Sequence, residues 1–220
     1  MGVVEHPVQV RAGKVALEGD LSIPEGAPGI VLFAHGSGSS RRSPRNRSVA
    51  QTLLEGGLAT LLFDLLTLQE EAVDINTGRW RFDIILLGER LVQATDWVKE
   101  NPETKQLAIG YFGASTGAAA ALVAAVERPD EVRAIVSRGG RPDLAGEALP
   151  MVKAPTLLIV GGEDYQVITL NRAALAKLRG EKELVIVPGA THLFEEPGAL
   201  EQVAKLASRW FQKYLKKSGA

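Results

Sequence analysis

Gly113-Ala114-Ser115-Thr116-Gly117 sets a serine between two glycines where a strand-like run, QLAIGYFG, gives way to an alanine-rich one, AAAALVAAV. A serine held on such a turn is placed to attack a carbonyl carbon. A side chain at 113 or 117 would crowd a turn sharp enough to hold the hydroxyl out from the backbone. The helix that follows aims its N-terminal amides at the same space, so the Thr116 amide is placed to donate to an oxyanion formed by that attack. At this composition G-x-S-x-G arises by accident about 0.1 times, so the strand-to-helix context carries more weight than the match. Without chemistry, the glycines would simply let the alanine-rich helix pack tightly on a sheet.

A hydroxyl is a weak nucleophile and needs a base, which in turn needs an orienting acid. The chain has three histidines. His6 lies in an N-terminal strand region, His35 ends an early strand, and His192 follows the last predicted strand in VPGATHLFEE. The run LLIVGGEDYQV puts two candidate acids, Glu163 and Asp164, just past another strand. Serine, acid and histidine then follow one another in a known triad order, each at the carboxyl end of its own strand. Arg138 and Arg141 fall just past a further strand, placed to hold a substrate carboxylate by two parallel hydrogen bonds. The plainer reading is an ion pair at the surface or a helix cap, for instance Arg141 with Asp143.

These residues need a scaffold that brings strand ends together. VALEGDLSIP, at 15 to 24, alternates as a half-buried antiparallel strand does. GIVLFAHG, LATLLFD, QLAIGYFG, VRAIVSRGG, APTLLIVGG and ELVIVPG are continuous apolar runs, expected of parallel strands covered on both faces. Helical stretches lie between them at about 44 to 56, 83 to 101, 115 to 127, 167 to 180 and 196 to 216, with Ser43-Pro44 as a start signal. The expectation is an α/β fold in one domain, 1 to 220. It has eight strands, two antiparallel at the N-terminal edge and six parallel, with helices on both faces. The segment 65 to 82 reads as the least regular part of the chain.

Composition narrows the partners. A net charge of -1, from 25 Lys and Arg against 26 Asp and Glu, provides no overall field for nucleic acid or an anionic membrane. The basic run RRSPRNR, at 41 to 47, reads as a solvated loop and helix start. With no cysteine, disulfides, thiolate metal sites and a cysteine nucleophile are excluded. The opening MGVVEHPVQV lacks the pattern of a signal peptide, and no apolar run approaches the length of a membrane span. These features lead to the expectation of a cytoplasmic protein with no metal and no cofactor; a small-molecule ester substrate is the expectation set by the serine, acid and histidine together with the resemblance that follows.

From about residue 15 to the end, the sequence resembles the α/β-hydrolases, specifically the dienelactone hydrolase-like family. The likeness is carried by FAHGSGSS (33 to 40), GASTG (113 to 117), GGEDYQV (161 to 167) and GATH (189 to 192). The resemblance implies Ser115 as nucleophile, His192 as base and later acid, and Asp164 rather than Glu163 as the orienting carboxylate. It implies the Ser37 amide as second oxyanion donor beside that of Thr116, and a structural His35. Dienelactone hydrolases proper use a cysteine nucleophile; serine here points toward general esterase or lipase-like chemistry. The stretch 137 to 155 leaves room for a short helix in place of a cap domain, so an open site is expected.

Two other classes compete. GIVLFAHGSGSSRR imitates a dinucleotide-binding turn, with Gly36-x-Gly38 and an acid, Asp64, closing the next strand, as in an NAD-dependent oxidoreductase. Arg41 stands at the third glycine position, however, and Ser43-Pro44 delays the helix that would meet a pyrophosphate. The other is a non-catalytic ligand-binding protein on the same fold.

Overall fold

The alternating stretch at 15 to 24 is strand β2 (Val15–Pro24), paired antiparallel with β1 (Val3–Ala12) across a two-residue turn. The computed structural model describes residues 3–216; the first two residues of the opening segment and the last four of the chain lie outside it. The other face of the hairpin continues into the sheet. β2 runs antiparallel to β4 (Ala59–Phe63), and β4 is parallel to β3 (Gly29–Ala34). β5 (Ala108–Ala114), β6 (Val132–Arg138), β7 (Thr156–Gly161) and β8 (Lys182–Val187) then follow in parallel. The order across the eight strands is β1-β2-β4-β3-β5-β6-β7-β8.

The six apolar runs are buried because both faces are covered. Ile30 and Leu32 of β3 pack with α3 (Ile84–Glu100) and α4 (Thr116–Glu127), while their neighbours Val31 and Phe33 pack with α1 (Pro44–Glu55) and α6 (Ala199–Tyr214). α5 (Tyr165–Lys177) joins the α3 and α4 side. Alternate residues of one strand thus feed two cores, which is why no period-2 pattern shows in these runs. The chain leaves β3 for β4 on one side and returns to β5 on the other. That reversal opens a crevice at the carboxyl ends of the strands. Among the described residues, no helix is long and apolar enough to cross a membrane.

The segment 65 to 82 departs from expectation, since it contains a ten-residue helix, α2 (Leu68–Thr77). Its start is a capping box: the Thr67 hydroxyl accepts from the Glu70 amide at 3.2 Å, and the Glu70 carboxylate accepts from the Thr67 amide at 2.8 Å. The helix buries no apolar side chain; Asp74 alone is enclosed, while Leu68, Val73 and Ile75 stay exposed. Polar ties hold it instead. The Asp74 carboxylate accepts from the Trp80 amide at 2.6 Å and from Arg81 Nε at 2.6 Å, and Glu70 pairs with Arg90 at 2.7 Å. The short helix expected within 137 to 155 is a 3-10 segment, Pro142–Met151, kinked at Gly146.

Burial alone would push the Asp74 carboxyl up, but the Trp80 and Arg81 donors outweigh it and hold it below the usual carboxylate range. Its anchoring is therefore complete above about pH 4, the unfolded carboxylate value, and is lost as pH falls from there through the lowered folded value. Replacing Arg81 by Ala should raise amide exchange across residues 68 to 80 by about 10- to 100-fold, the worth of a charged hydrogen bond. The core strands should keep their protection. Hydrogen exchange read by mass spectrometry checks both.

Candidate active site

Ser115 joins β5 to α4 with φ 51 and ψ -121, a left-handed conformation rare for a residue with a side chain. Backbone bonds hold it there: its amide donates to Arg138 O at 3.3 Å, and its carbonyl accepts from Arg141 N at 3.0 Å. The flanking glycines are needed for contact. A Cβ on Gly117 would lie 2.1 Å from Ala34 O, and one on Gly113 would lie 2.4 Å from Ala118 Cα. The end of β3 therefore rests directly on the first turn of α4. This closeness brings Ser37 to Thr116, whose hydroxyl accepts from the Ser37 amide at 3.0 Å. Two backbone amides expected to serve one oxyanion thus belong to adjoining turns. Ser115 is partly exposed, and its hydroxyl is hydrogen bonded to no described residue.

His192 follows β8, and Asp164 caps α5 just past β7. Their side chains meet, His192 Nδ1 to Asp164 Oδ2, at 2.6 Å. A carboxylate can only accept, so Nδ1 carries the hydrogen, which in a neutral ring puts the lone pair on Nε2. The rival acid Glu163 accepts from the Tyr165 hydroxyl at 2.6 Å and faces away. Buried Phe194, two residues after His192, pins this loop from below with φ 56. The His192 ring lies over Gly139, where a Cβ would sit 3.6 Å from its Cε1. Ser115 bonds to the residue just before that glycine, so serine and histidine share the end of β6, although no hydrogen bond joins them directly.

The other histidines are otherwise engaged. His35 is buried, donates from Nδ1 to Gly36 O at 3.0 Å and accepts at Nε2 from the Leu65 amide at 3.0 Å. Burial holds its pKa below the ordinary histidine value, partly offset by the Gly36 bond and the charges of Asp64 and Glu71. It ties the β3 turn to the β4 turn. His6 faces Glu103 at 3.5 Å on the surface. Asp64, the acid a ribose would need, accepts from the Arg41 amide at 2.7 Å and is ion-paired to the same side chain. Among the described residues, no group of three or more His, Asp or Glu is placed to hold a metal.

The two arginines differ. Arg141 is bound bidentately by Asp143, at 2.9 and 2.8 Å. Arg138 turns beneath the strand end, 8% exposed, and its Nε and Nη1 have no partner. A cavity of about 320 Å³ opens beside Ser37, walled by Asp64, Leu65, Glu71, Ile75 and Leu87. Its α2 wall escapes a sequence reading that leaves this segment irregular, although T-x-x-E at 67 to 70 signals a helix start there.

A model of the dienelactone hydrolase family matches residues 17–217. The chain is 64% identical to a crystal structure of dienelactone hydrolase from Anabaena variabilis, with a TM-score of 0.97, covering 98% of this chain and 100% of that one. It is 59% identical over 211 residues to a Mycobacterium tuberculosis protein provisionally named a phosphoribosyl transferase, covering 96% of this chain and 47% of that protein. The chain thus spans about half the length of the curated relatives it matches first. The esterase Pf2001 of Pyrococcus furiosus shares the fold at 18% identity and a TM-score of 0.73, with 96% and 93% of the two chains covered.

Because the Gly117 contact is with backbone, which has no rotamer to yield, Gly117→Ala should cost about 3 kcal/mol of stability. A urea melt on the purified variant measures this, and an unchanged midpoint would contradict the close-contact account.

Proposed function

Since the chain belongs to the dienelactone hydrolase family, we propose that it is a serine hydrolase cleaving carboxylic esters through a covalent acyl-enzyme. The observation that carries this reading is the 2.6 Å bond from His192 to Asp164 at the same edge of the sheet, the carboxyl ends of its strands, as the strained Ser115 turn. Ser115 Oγ attacks the ester carbonyl while His192 Nε2 takes its proton. Asp164 keeps the ring in the required tautomer and stabilises the imidazolium. The carbonyl oxygen, now an anion, accepts from the amides of Thr116 and Ser37, replacing the Thr116 hydroxyl as the acceptor of the Ser37 hydrogen. The tetrahedral adduct collapses, the C–O bond to the alcohol breaks, and His192 returns the proton to the leaving oxygen. Water then attacks the acyl-Ser115 carbonyl, with His192 again taking and returning a proton, to release the acid.

One arm of the ester occupies the cavity beside Ser37, with Leu65, Ile75 and Leu87 as its apolar wall. The reading includes a small-molecule substrate, no metal or cofactor and a cytoplasmic setting. The phosphoribosyl transferase name belongs to a protein of which the matched region is 47%. The Ser115 site supplies no step of that chemistry, so the name is not carried over.

Ser115→Ala should lower kcat/KM on p-nitrophenyl acetate by ~10³-fold or more with an unchanged thermal melt. A fluorophosphonate should label the parent protein at Ser115 and leave the variant unlabelled. Undiminished hydrolysis by the variant would overturn the assignment.

A further inference from the structure

Helix α2 shows residues 71, 74 and 75 to the cavity beside Ser37; spaced by three and four, they share one face of the helix. The capping box sets that rotation. Glu70 turns back to the Thr67 amide and reaches Arg90, which leaves the next carboxylate, Glu71, on the cavity side. Glu71 is half-buried, and its carboxylate is bonded to no described residue. The cavity also adjoins the serine turn. Gly36 and Ser37 belong to its wall; a Cβ on Gly36 would lie 3.0 Å from Ser115 Cβ, and the Ser37 amide reaches Thr116 Oγ1 at 3.0 Å. An ester seated with its carbonyl at Ser115 therefore has this cavity as the neighbouring space for one arm.

The charges around that space do not balance. Three carboxylates in its wall, Asp64, Glu71 and Asp74, stand against one guanidinium, Arg81. Arg81 is committed to Asp74, donating from Nε to the carboxylate at 2.6 Å and from Nη2 to the Asp74 carbonyl. Asp64 is paired with Arg41, but that guanidinium is shared with Glu18 at 2.6 Å and Asp20 at 3.6 Å. Glu71 is left over. An acid near the start of a helix is favourable toward the helix dipole. That accounts for Glu70 and Glu71 as a pair, but not for the placing of one of them over a cavity whose other wall is Leu65, Ile75 and Leu87.

We propose that Glu71 makes this cavity a subsite for an ammonium group carried on one arm of the ester. The inference deepens the serine hydrolase reading and rests on it for the word ester; binding of the cation itself does not. An organic cation matches both halves of the wall, its carbon chain against the leucines and its charge toward the carboxylate. A bare metal ion is a poorer occupant, since among the described residues no three His, Asp or Glu are grouped to ligate one.

Two matched pairs read the subsite from either arm. Butyrylthiocholine and its isostere with tert-butyl in place of trimethylammonium differ in charge on the leaving arm; p-nitrophenyl ε-aminocaproate and p-nitrophenyl heptanoate differ on the acyl arm. Thiol release is followed with a disulfide chromogen, which finds no thiol on a chain without cysteine. The parent protein should favour the charged member of one pair, which names the arm. Glu71→Gln should lower that charged-to-neutral ratio of kcat/KM by about 5-fold or more, the upper end for an ion pair that solvent reaches. Added sodium chloride should narrow the ratio in the parent protein. Glu71→Asp, which keeps the charge, should retain most of the preference. Thermal shift with choline chloride or n-butylammonium chloride, against sodium chloride at equal ionic strength, reads the cation without turnover. A rise in Tm that Glu71→Gln loses supports the subsite; the same rise in a protein that hydrolyses none of these substrates would sink the hydrolase reading and leave the subsite standing. Hydrolysis with ratios unmoved by Glu71→Gln, and no cation-specific rise in Tm, would overturn the subsite and leave the hydrolase reading intact.

Discussion

The contact of two backbone turns, with no side chain between them, is the constraint on which the strand-end site depends. Gly117 lets the start of α4 sit against Ala34 O and His35 O at the end of β3. That contact fixes where the Ser115 turn stands relative to the Ser37 turn, so the Ser115 side chain and the Thr116 and Ser37 amides are set by main chain, the stiffest material available. His35 extends the constraint, since its ring bridges the β3 turn to the Leu65 amide after β4. Three strand ends are thereby locked together before any charged group is considered.

Several acids around the strand ends are already occupied. Asp64 is taken by Arg41, Asp74 by Arg81, Asp143 by Arg141, and Glu163 by the Tyr165 hydroxyl. Asp164 makes no capping bond to its own helix and meets His192 instead. Asp164 is thus the carboxylate bonded to the imidazole. Arg138 breaks the pattern of pairing, and it does so beside Ser115.

Much of this is readable in the sequence because the apolar runs, the Gly-x-Ser-x-Gly turn and the order of serine, acid and histidine are local patterns tied to the strands that carry them. The antiparallel edge and the six parallel strands follow from alternation in one region and continuous apolar runs in the others. What escapes depends on partners distant in sequence. α2 is missed because helix periodicity registers buried apolar residues and this helix buries none. Arg138 and Arg141 look alike as neighbours in SRGGRPD; only folding puts Asp143 on one and an enclosed, empty-handed position on the other. The choice of Asp164 over Glu163 is similar. One residue of rotation decides which carboxylate turns inward, and adjacency in a chain does not report rotation.

The way α2 is fastened bears on how this scaffold diversifies. Most substitutions that reshape a pocket disturb a core, and their harm to folding restricts which ones survive. Here one wall of the cavity is a helix tethered by a capping box and two ion pairs, with none of its apolar residues buried in the core. Its Glu71 and Ile75 positions are thus nearly uncoupled from the sheet beneath. A lineage can revise what the cavity admits by editing ten residues, while the turns that carry Ser115, Asp164 and His192 are left intact.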